Sequence, residues 1–329
     1  MHKVSLESEA VRMGIDFRSL QTGTGPDLTG ALRIIRYANA TGIDLIHSHG
    51  YKSNILIGFI PRKIRKLPLV VTLHGWTSAG KLTKLRLYEW FDIKSLKRAD
   101  AVVAVSKATA NHQALRRIRT EIIYNGISKT VFKGKDQLPN RQLVQFCENG
   151  FTIGSVGRLS PEKGYRYLID AFSILAQRYR KIRLVIIGDG KERNDLQTRI
   201  NKMELEKRIL LAGYQPDAVQ YIPLFKIFVL SSLTEGLPIT ILEAMQAKVP
   251  VISTKVGGVE EMLANNKTAL LIRKQDPIAL SIAIQKLYQK KQLSSKIAAH
   301  AQELSMKKFS SETMAGEYSK LYNKVLCKN

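Results

Sequence analysis

The chain has 329 residues, of which 44% are hydrophobic and 24% charged, a composition that excludes disordered and fibrous proteins and predicts two domains. The 52 Lys and Arg residues outnumber the 27 Asp and Glu residues, which gives a net charge of +25 and favours anionic partners such as nucleic acid, anionic lipid or phosphorylated substrates. With two cysteines, no long apolar run and no signal peptide, the sequence indicates a cytoplasmic protein without disulfides.

Short apolar runs alternate with amphipathic stretches through the first part of the chain. The predicted strands there are 44–50, 68–75, 99–106 and 121–127, and the predicted helices are 28–41, 52–65, 81–98 and 107–118. Strands that are apolar throughout are buried on both faces. The pattern therefore indicates a parallel sheet wrapped by helices and built from successive βα units.

The second part continues this alternation. Its predicted strands are 151–157, 183–188, 208–213, 227–232, 249–254 and 268–273, and its predicted helices include 164–179, 192–203, 238–247 and 277–290. We predict an α/β protein of two Rossmann-like, doubly wound parallel-sheet domains that face a cleft, covering residues 1–135 and 136–308. The pattern breaks near 133–149, where the two domains should join.

The final segment, residues 309–329, is not preceded by a predicted strand of its own and so is not part of a βα unit. Met314, Tyr318, Leu321 and Tyr322 are spaced so that they fall on one face of a helix. Such an amphipathic helix can pack back across the first domain, or it can lie on its own domain. The sequence leaves both placements open.

The paired glutamates of the stretch 231–252 are the most specific feature of the sequence. Glu235 lies in the loop after a predicted strand, Pro238 should open a helix, and Glu243 falls in the second turn of that helix. Both carboxylates can therefore face the crevice at the carboxyl end of the sheet and accept hydrogen bonds from hydroxyl groups. The alternative is that Glu235 caps the helix and Glu243 faces solvent. The helix N-terminus suits a phosphate, held by the N–H groups of Gly236, Leu237 and Ile239.

A loop with two basic residues follows the first strand of the second domain. In the stretch 155–172 the strand ends in a glycine, and Arg158 and Lys163 follow before an amphipathic helix. A planar guanidinium and a mobile ammonium group can together neutralise a diphosphate. In so basic a chain, a solvated surface is the competing interpretation. Gly188 lies in a tight turn after the next strand.

Taken together, these stretches resemble the retaining nucleotide-sugar glycosyltransferases of family 4, the glycosyl transferases group 1, which have the GT-B fold. The resemblance covers roughly residues 28–326 and rests on GRLSPEKG (157–164), IIGDG (186–190), LAGYQPD (211–217), EGLPITILE (235–243) and VPVISTKVGGVEEML (249–263). It implies an enzyme that transfers a sugar from a nucleoside diphosphate, UDP or GDP, with retention of configuration. The implied acceptor is a glycolipid or polysaccharide in cell-envelope, exopolysaccharide or lipopolysaccharide synthesis.

The resemblance also implies roles for residues of the second domain. Arg158 and Lys163 would bind the donor diphosphate and stabilise its growing charge during transfer, Glu235 would contact the sugar hydroxyls, and Glu243 would hold the ribose. No Asp-x-Asp pair occurs in the chain, which agrees with transfer without a metal, and no cofactor is expected. The other donor-binding residues implied are Gly188, Gly236, Leu237 and Ile239, together with Tyr214 and Gln215 against the base.

Histidines are the candidate functional residues of the first domain. His74 follows a predicted strand and matches the histidine that lies near the donor sugar and the acceptor in the family. Its imidazole could hydrogen-bond a sugar hydroxyl or the reacting oxygen, and the alternative is a strand-end histidine satisfied by backbone. His47 and His49 lie on one side of a strand, but without a third ligand in the sequence a metal site is disfavoured.

The N-terminus departs from the family pattern, which begins with a strand, a glycine-rich turn and a helix. The chain opens on LESEAVRMGIDFRSL (6–20), so we expect the first domain to lack one βαβ unit of roughly 30 residues. A non-catalytic remnant that still binds a nucleotide sugar is therefore the alternative function. A nucleic-acid-binding protein is disfavoured because the basic residues are scattered and form no recognition motif.

Two basic stretches predict contact with a membrane surface. Residues 61–66 contain four basic side chains, and residues 81–98 contain six, among the apolar and aromatic Leu82, Leu85, Tyr88, Trp90 and Phe91. Because acceptors in the family are often lipid-linked, we expect a cytoplasmic protein held partly on the anionic inner face of the cytoplasmic membrane. The alternative is an ordinary helix with a basic face in solvent.

Overall fold

The computed structural model describes residues 7, 10, 11, 13–19, 27–75 and 84–327, with side chains from residue 87 onward in the last range. Within these ranges the chain forms two parallel sheets wrapped by helices, which confirms the α/β class. Every strand predicted from the sequence is present, and most are a few residues shorter than predicted.

The first sheet has its strands in chain order. Among the described residues the order is β1-β2-β3-β4, and all neighbours are parallel. Right-handed crossovers that always advance in one direction place their helices on one face, where Val71 and Leu73 pack with Ile57 and Leu96. The elements are α1 (Leu28–Ala40), β1 (Ile46–His49), α2 (Tyr51–Gly58), α3 (Arg62–Arg65), β2 (Leu69–Leu73), α4 (Lys84–Leu96), β3 (Ala101–Ala104), α5 (Lys107–Ala110) and β4 (Thr120–Ile122).

The elements of the second domain and the helix that follows it begin after residue 140. They are α6 (Arg141–Glu148), β5 (Phe151–Val156), α7 (Tyr165–Arg178), β6 (Ile182–Ile187), α8 (Arg193–Lys202), β7 (Ile209–Gly213), β8 (Ile227–Leu230), α9 (Ile239–Gln246), β9 (Val251–Thr254), α10 (Val259–Met262), β10 (Leu270–Ile272), α11 (Pro277–Gln289), α12 (Lys291–Lys308) and α13 (Ser311–Leu326).

The second sheet is doubly wound. Its strand order is β10-β9-β8-β5-β6-β7, so the chain reverses direction between the neighbouring strands β5 and β8. Side chains alternate between two cores, since Val185 and Ile187 pack on one face and Leu184 and Ile186 on the other. In sheets of this kind a ligand binds beyond the carboxyl ends of the strands at the point of reversal. A ligand site is therefore expected at the loops after β5 and β8.

The last helix, α13, lies on the first sheet. Leu321 and Val325 of α13 pack against Val70 of β2 and Val103 of β3, on the face opposite to the crossover helices. The chain thus passes through the whole second domain before its final helix covers the first. This return joins the two domains in addition to the linker.

Three sequence-based assignments of helices need correction. The segment 133–149, predicted as a break, contains α6, because the Asn140 side chain accepts from Leu143 N and caps a short amphipathic helix. The single helix predicted over 52–65 is divided into α2 and α3, because Pro61 precedes α3 with an extended ψ of 143° and cannot continue a helix. The helix predicted over 107–118 is replaced by the four-residue α5 and a 3₁₀ helix at Gln113–Leu115, because the Ser106 and His112 side chains cap these two short helices separately.

Candidate active site

The point of reversal in the second sheet brings two loops together. The loop after β5 carries Arg158 and Lys163, and the loop after β8 carries Glu235. Lys163 Nζ lies 2.7 Å from Glu235 Oε1, and Ser232 Oγ donates to the same oxygen at 2.6 Å. Only 22% of the Lys163 side chain and 11% of the Glu235 side chain are exposed. Because little water screens this ion pair, it is stronger than a surface pair.

Backbone contacts hold the Arg158 loop against the turn that follows β6. Leu159 N donates to Asp189 O at 3.0 Å. Gly188 has a φ of +142°, and a Cβ there would overlap the carbonyl oxygen of Gly157, so glycine is required for the two loops to approach this closely. The Arg158 side chain itself is exposed to solvent. The loop is therefore fixed while its guanidinium remains accessible.

The N-terminus of α9 follows directly after Glu235. The helix begins at Ile239, and Pro238 is its N-cap with ψ of 111°, so the prediction that the proline opens the helix is wrong by one position. Gly236 O accepts from Gly258 N at 2.8 Å. In the described part of the chain, the N–H groups of Gly236, Leu237 and Ile239 form no hydrogen bond. Such groups at the start of a helix suit an anion.

Glu243 lies in the second turn of α9. Its side chain is half-buried, and no other described residue forms a hydrogen bond or ion pair with the carboxylate. Burial raises the pKa of this carboxyl above its usual range, because a low dielectric disfavours the charged form. A half-buried carboxyl group without a protein partner is suited to the hydroxyl groups of a ligand.

The side chains expected to meet the base follow β7. Tyr214 is 59% exposed, so its ring is available for stacking on a planar base. Gln215 is engaged within the protein, since its Nε2 donates to Ala212 O at 2.7 Å and its Oε1 accepts from Asn140 Nδ2 at 3.2 Å. Tyr214 is therefore accessible to a ligand, whereas Gln215 holds the loop after β7 in place.

The first domain reaches this site through the segment after β2. A Cβ on Gly236 would overlap the carbonyl oxygen of His74, and Gly75 lies against the same glycine. The backbone of His74 therefore lies next to the loop of Glu235, across the cleft. A cavity of about 170 Å³ between the domains is lined by Gly75, Ala108, Thr109, His112, Glu235 and Gly257, among others.

Among the described residues, the His74 side chain is paired with a second histidine and with no backbone group. Its Nε2 lies 3.1 Å from His49 Nδ1, and burial lowers the pKa of His74. Burial and the neighbouring histidines lower the pKa of His47 to about 4, while Tyr322 and Thr72 hydrogen-bond its two ring nitrogens. No cluster of three or more His, Cys, Asp or Glu side chains suited to a metal occurs in the described ranges.

Glu261 joins the two domains and was not predicted from the sequence. Its carboxylate accepts from the backbone N–H groups of Lys107 and Ala108, both at 2.8 Å, and from Tyr124 OH at 3.1 Å. The motif VGGVEEML contains this glutamate, but the motif does not indicate its partners in the first domain. The contact holds the N-terminus of α5 against α10, beside the cleft.

Two family models match the chain, one for each domain. Residues 136–304 match the model described as glycosyl transferases group 1. Residues 3–130 match the model described as glycosyltransferase family 4. The first of these models alone covers half of the chain.

Individual relatives agree with these matches. An N-acetyl-alpha-D-glucosaminyl L-malate synthase from Bacillus anthracis is 24% identical over 307 residues, 91% of this chain and 80% of that protein. A UDP-Gal:alpha-D-GlcNAc-diphosphoundecaprenol alpha-1,3-galactosyltransferase from Escherichia coli is 28% identical over 264 residues, 76% of this chain and 67% of that protein. The crystal structure of Anabaena Alr3699/HepE in complex with UDP-glucose has a TM-score of 0.85 at 23% identity, covering 97% and 88% of the two chains, which shows the same fold.

Proposed function

The chain belongs to the glycosyl transferases group 1, with a first domain of the family 4 type, and on this premise we propose that it transfers a sugar from a nucleoside diphosphate to a glycan or lipid-linked glycan of the cell envelope. The observation that carries the proposal is the Lys163–Glu235 pair, which directly precedes the N-terminus of α9. It combines a cation for a phosphate with a carboxylate for a hydroxyl group, which are the two needs of a sugar diphosphate.

The positive groups of the site support this chemistry. As the bond between the anomeric carbon and the diphosphate breaks, negative charge grows on the leaving group. Lys163 and the N–H groups at the start of α9 are fixed before that charge develops, and Arg158 extends from a loop that is held in place, so these groups stabilise the transition state more than the ground state. We therefore propose transfer without a divalent metal. Net retention of configuration is part of the proposal and rests on the family resemblance.

We propose the remaining contacts of the donor from the family resemblance, and the positions of three side chains support them. Glu235 would accept from the sugar hydroxyls, Glu243 from the ribose, and Tyr214 would stack on the base. UDP is the first nucleotide to test, with GDP second. The Escherichia coli relative is named for a UDP-Gal donor and the Anabaena structure contains UDP-glucose, which supports this order.

Measuring nucleotide binding and sugar transfer in the same variants tests the proposal. Glu235→Gln should lower transfer about a hundredfold or more while UDP affinity measured by calorimetry stays within about threefold, because Glu235 contacts the sugar and not the nucleotide. Glu148→Gln, at an exposed carboxylate paired with Lys135, is the control. A wild-type chain that binds neither UDP nor GDP would contradict the proposal, and binding without transfer to any acceptor would favour a nucleotide-sugar-binding remnant.

The surface of α3 and α4 supports attachment to a membrane surface. Leu87, Trp90 and Phe91 of α4 are exposed, and Lys94 Nζ lies 5.2 Å from the centre of the Trp90 ring. Exposed aromatic and apolar side chains beside basic ones suit the interface of an anionic bilayer. We propose that this surface brings the enzyme to lipid-linked acceptors. No helix of the described ranges is long and apolar enough to cross a membrane.

One basic residue expected on this surface is absent from it. Arg65 is fully buried, and its Nη2 lies 3.0 Å from Asp100 Oδ2, so the stretch 61–66 offers three cations and not four. Leu82 lies outside the described residues, and so does the side chain of Leu85. The proposed surface therefore depends on residues 87–94 of α4.

Vesicle sedimentation tests the membrane proposal. The wild type should sediment with vesicles of anionic lipid but not of zwitterionic lipid, and high salt should release it. The double substitution Leu87→Ser, Trp90→Ser should weaken this binding. The matched control is Ile278→Ser, Ile282→Ser, which changes two equally exposed apolar residues on α11. Sedimentation to the same extent with both kinds of vesicle, or with neither kind, would contradict the proposal.

A further inference from the structure

A row of polar side chains continues the face of the first sheet that α13 covers. His47 and His49 of β1 are two residues apart, and the register pairs His49 with Thr72 of β2. The apolar part of this face includes Val70, which packs with Leu321 of α13. Toward the carboxyl ends of the strands, the face therefore changes from apolar packing to hydrogen bonding.

Two tyrosines of α13 hold this row by hydrogen bonds. Tyr322 OH lies 2.6 Å from His47 Nδ1, and His47 Nε2 lies 2.8 Å from Thr72 Oγ1. Tyr318 OH, one helical turn before Tyr322, lies 2.8 Å from the same Thr72 oxygen. A neutral imidazole has one N–H and one lone pair, so whichever nitrogen carries the proton, donors and acceptors can alternate along the whole chain of four groups.

The row continues from His47 to the cleft. The ring centres of His47 and His49 are 4.1 Å apart, and His49 Nδ1 lies 3.1 Å from His74 Nε2. Burial lowers the pKa of both His49 and His74, and His74 lowers that of His49 further. Between two neutral imidazoles, one N–H donates to the lone pair of the other. With its Nε2 engaged in this way, and with no hydrogen bond to its Nδ1 from the described residues, His74 can offer Nδ1 to a ligand.

We propose that His49 sets the tautomer and the orientation of His74, and that Tyr318 and Tyr322 hold the histidine row in place from the last helix. These three are positioning residues for sugar transfer. A histidine at a strand end without such a partner exchanges between two tautomers, of which only one presents the required donor or acceptor. The inference rests on the proposed function, because it concerns how His74 meets a sugar hydroxyl or the reacting oxygen.

Histidine side-chain NMR of the full chain tests the inference without requiring activity. In long-range proton–nitrogen spectra at neutral pH, wild-type His74 should show one tautomer, and His49→Ala should show a mixture. In the same variant, kcat should fall about tenfold while the donor KM stays unchanged. His49→Asn, whose amide lies close to the position of Nδ1, should restore a single tautomer and part of the lost rate.

The tyrosines are tested by a substitution that removes one hydroxyl group and keeps the ring. Tyr322→Phe should change the His47 and His74 signals and lower kcat several-fold. The Tyr179 hydroxyl group accepts from Gln289 in the second domain. Tyr179→Phe is therefore the control, and it should change neither the histidine signals nor kcat. An unchanged His74 spectrum in His49→Ala, or identical behaviour of the two tyrosine variants, would overturn the inference. A wild type without UDP binding or transfer would instead refute the proposed function, and the spectra would still decide the role of His49.

Discussion

The two domains bring different chemistry to the cleft. The second supplies charges, since Arg158, Lys163 and Glu235 lie in the loops at its point of reversal. The first supplies His49 and His74, whose pKa values are lowered, so both are neutral at neutral pH. Holding a diphosphate and stabilising its growing charge require cations. Meeting a sugar hydroxyl requires a neutral group that can donate or accept one hydrogen bond.

The domains also differ in how these side chains are held. Lys163 and Glu235 are held by contacts within one domain, including the hydroxyl group of Ser232. The histidines of the first domain depend on Tyr322, which follows the whole second domain in sequence. We call Arg158, Lys163 and Glu235 the charged half of the site, and His47, His49 and His74 its neutral half. Changes in the charged half should strongly weaken binding or slow the chemistry. Changes in the neutral half should have smaller effects on rates and on the response to pH.

The largest effect is expected when the central cation is removed. Lys163→Ala leaves Glu235 without its cation and the leaving group without one of its positive charges, so transfer should fall by about two to three orders of magnitude. Single-turnover transfer from a UDP sugar measures this loss. Lys135→Ala removes a lysine from an exposed pair with Glu148 and is the control. A similar loss in both variants would show that transfer does not depend specifically on Lys163.

A smaller effect on binding is expected from the exposed guanidinium of the same loop. Arg158→Ala should weaken UDP binding by about 1.5–3 kcal/mol, the range for a charge-assisted hydrogen bond. Calorimetry with UDP measures this change. Arg141→Ala, at an exposed arginine of α6, should leave the affinity unchanged. Equal UDP affinity in wild type and Arg158→Ala would remove this residue from the diphosphate site.

The contact between the domains should affect the donor KM more moderately. Glu261→Ala removes the acceptor for the N–H groups of Lys107 and Ala108, so the arrangement in which His74 lies beside the Glu235 loop should be less populated. Because apparent affinity scales with the competent fraction, the donor KM should rise several-fold. The neighbouring substitution Glu260→Ala, at an exposed side chain near Lys255, should not raise it. Equal KM values in the two variants would show that the Glu261 contact does not hold the two domains in the arrangement that binds the donor.

The effect that is smallest at neutral pH, and appears only on acidification, concerns the stability of the fold. The pKa of His47 is lowered from 6.5 to about 4 in the folded chain, so between these values the unfolded chain binds more protons. Stability should therefore fall as pH falls from 6.5 toward 4, and His47 should contribute no slope above that window. Urea unfolding at several pH values should show a flatter dependence in His47→Gln, with His300→Gln as control. An unchanged pH dependence of stability in His47→Gln would contradict the lowered pKa of His47.

Local patterns in the sequence were sufficient to predict the strands, the two parallel sheets and the loops of the charged half. An apolar run buried on both faces is visible in consecutive residues, and the carboxyl ends of parallel strands share one edge of a sheet whatever connects them. Arg158, Lys163 and Glu235 could therefore be placed near one another. The helix α6 was missed because one cap, Asn140, outweighs the local break in pattern.

The neutral half of the site is built from contacts between residues that are far apart in the sequence. His47 and Tyr322 are 275 residues apart, and Ala108 and Glu261 are 153 apart. The spacing of apolar residues predicted that α13 has a buried face, but not which sheet that face covers. Periodicity reports the direction in which a side chain points within its own element. It carries no information on the partner, because hydrogen bonds between distant elements depend on how the domains pack and not on neighbouring residues in the sequence.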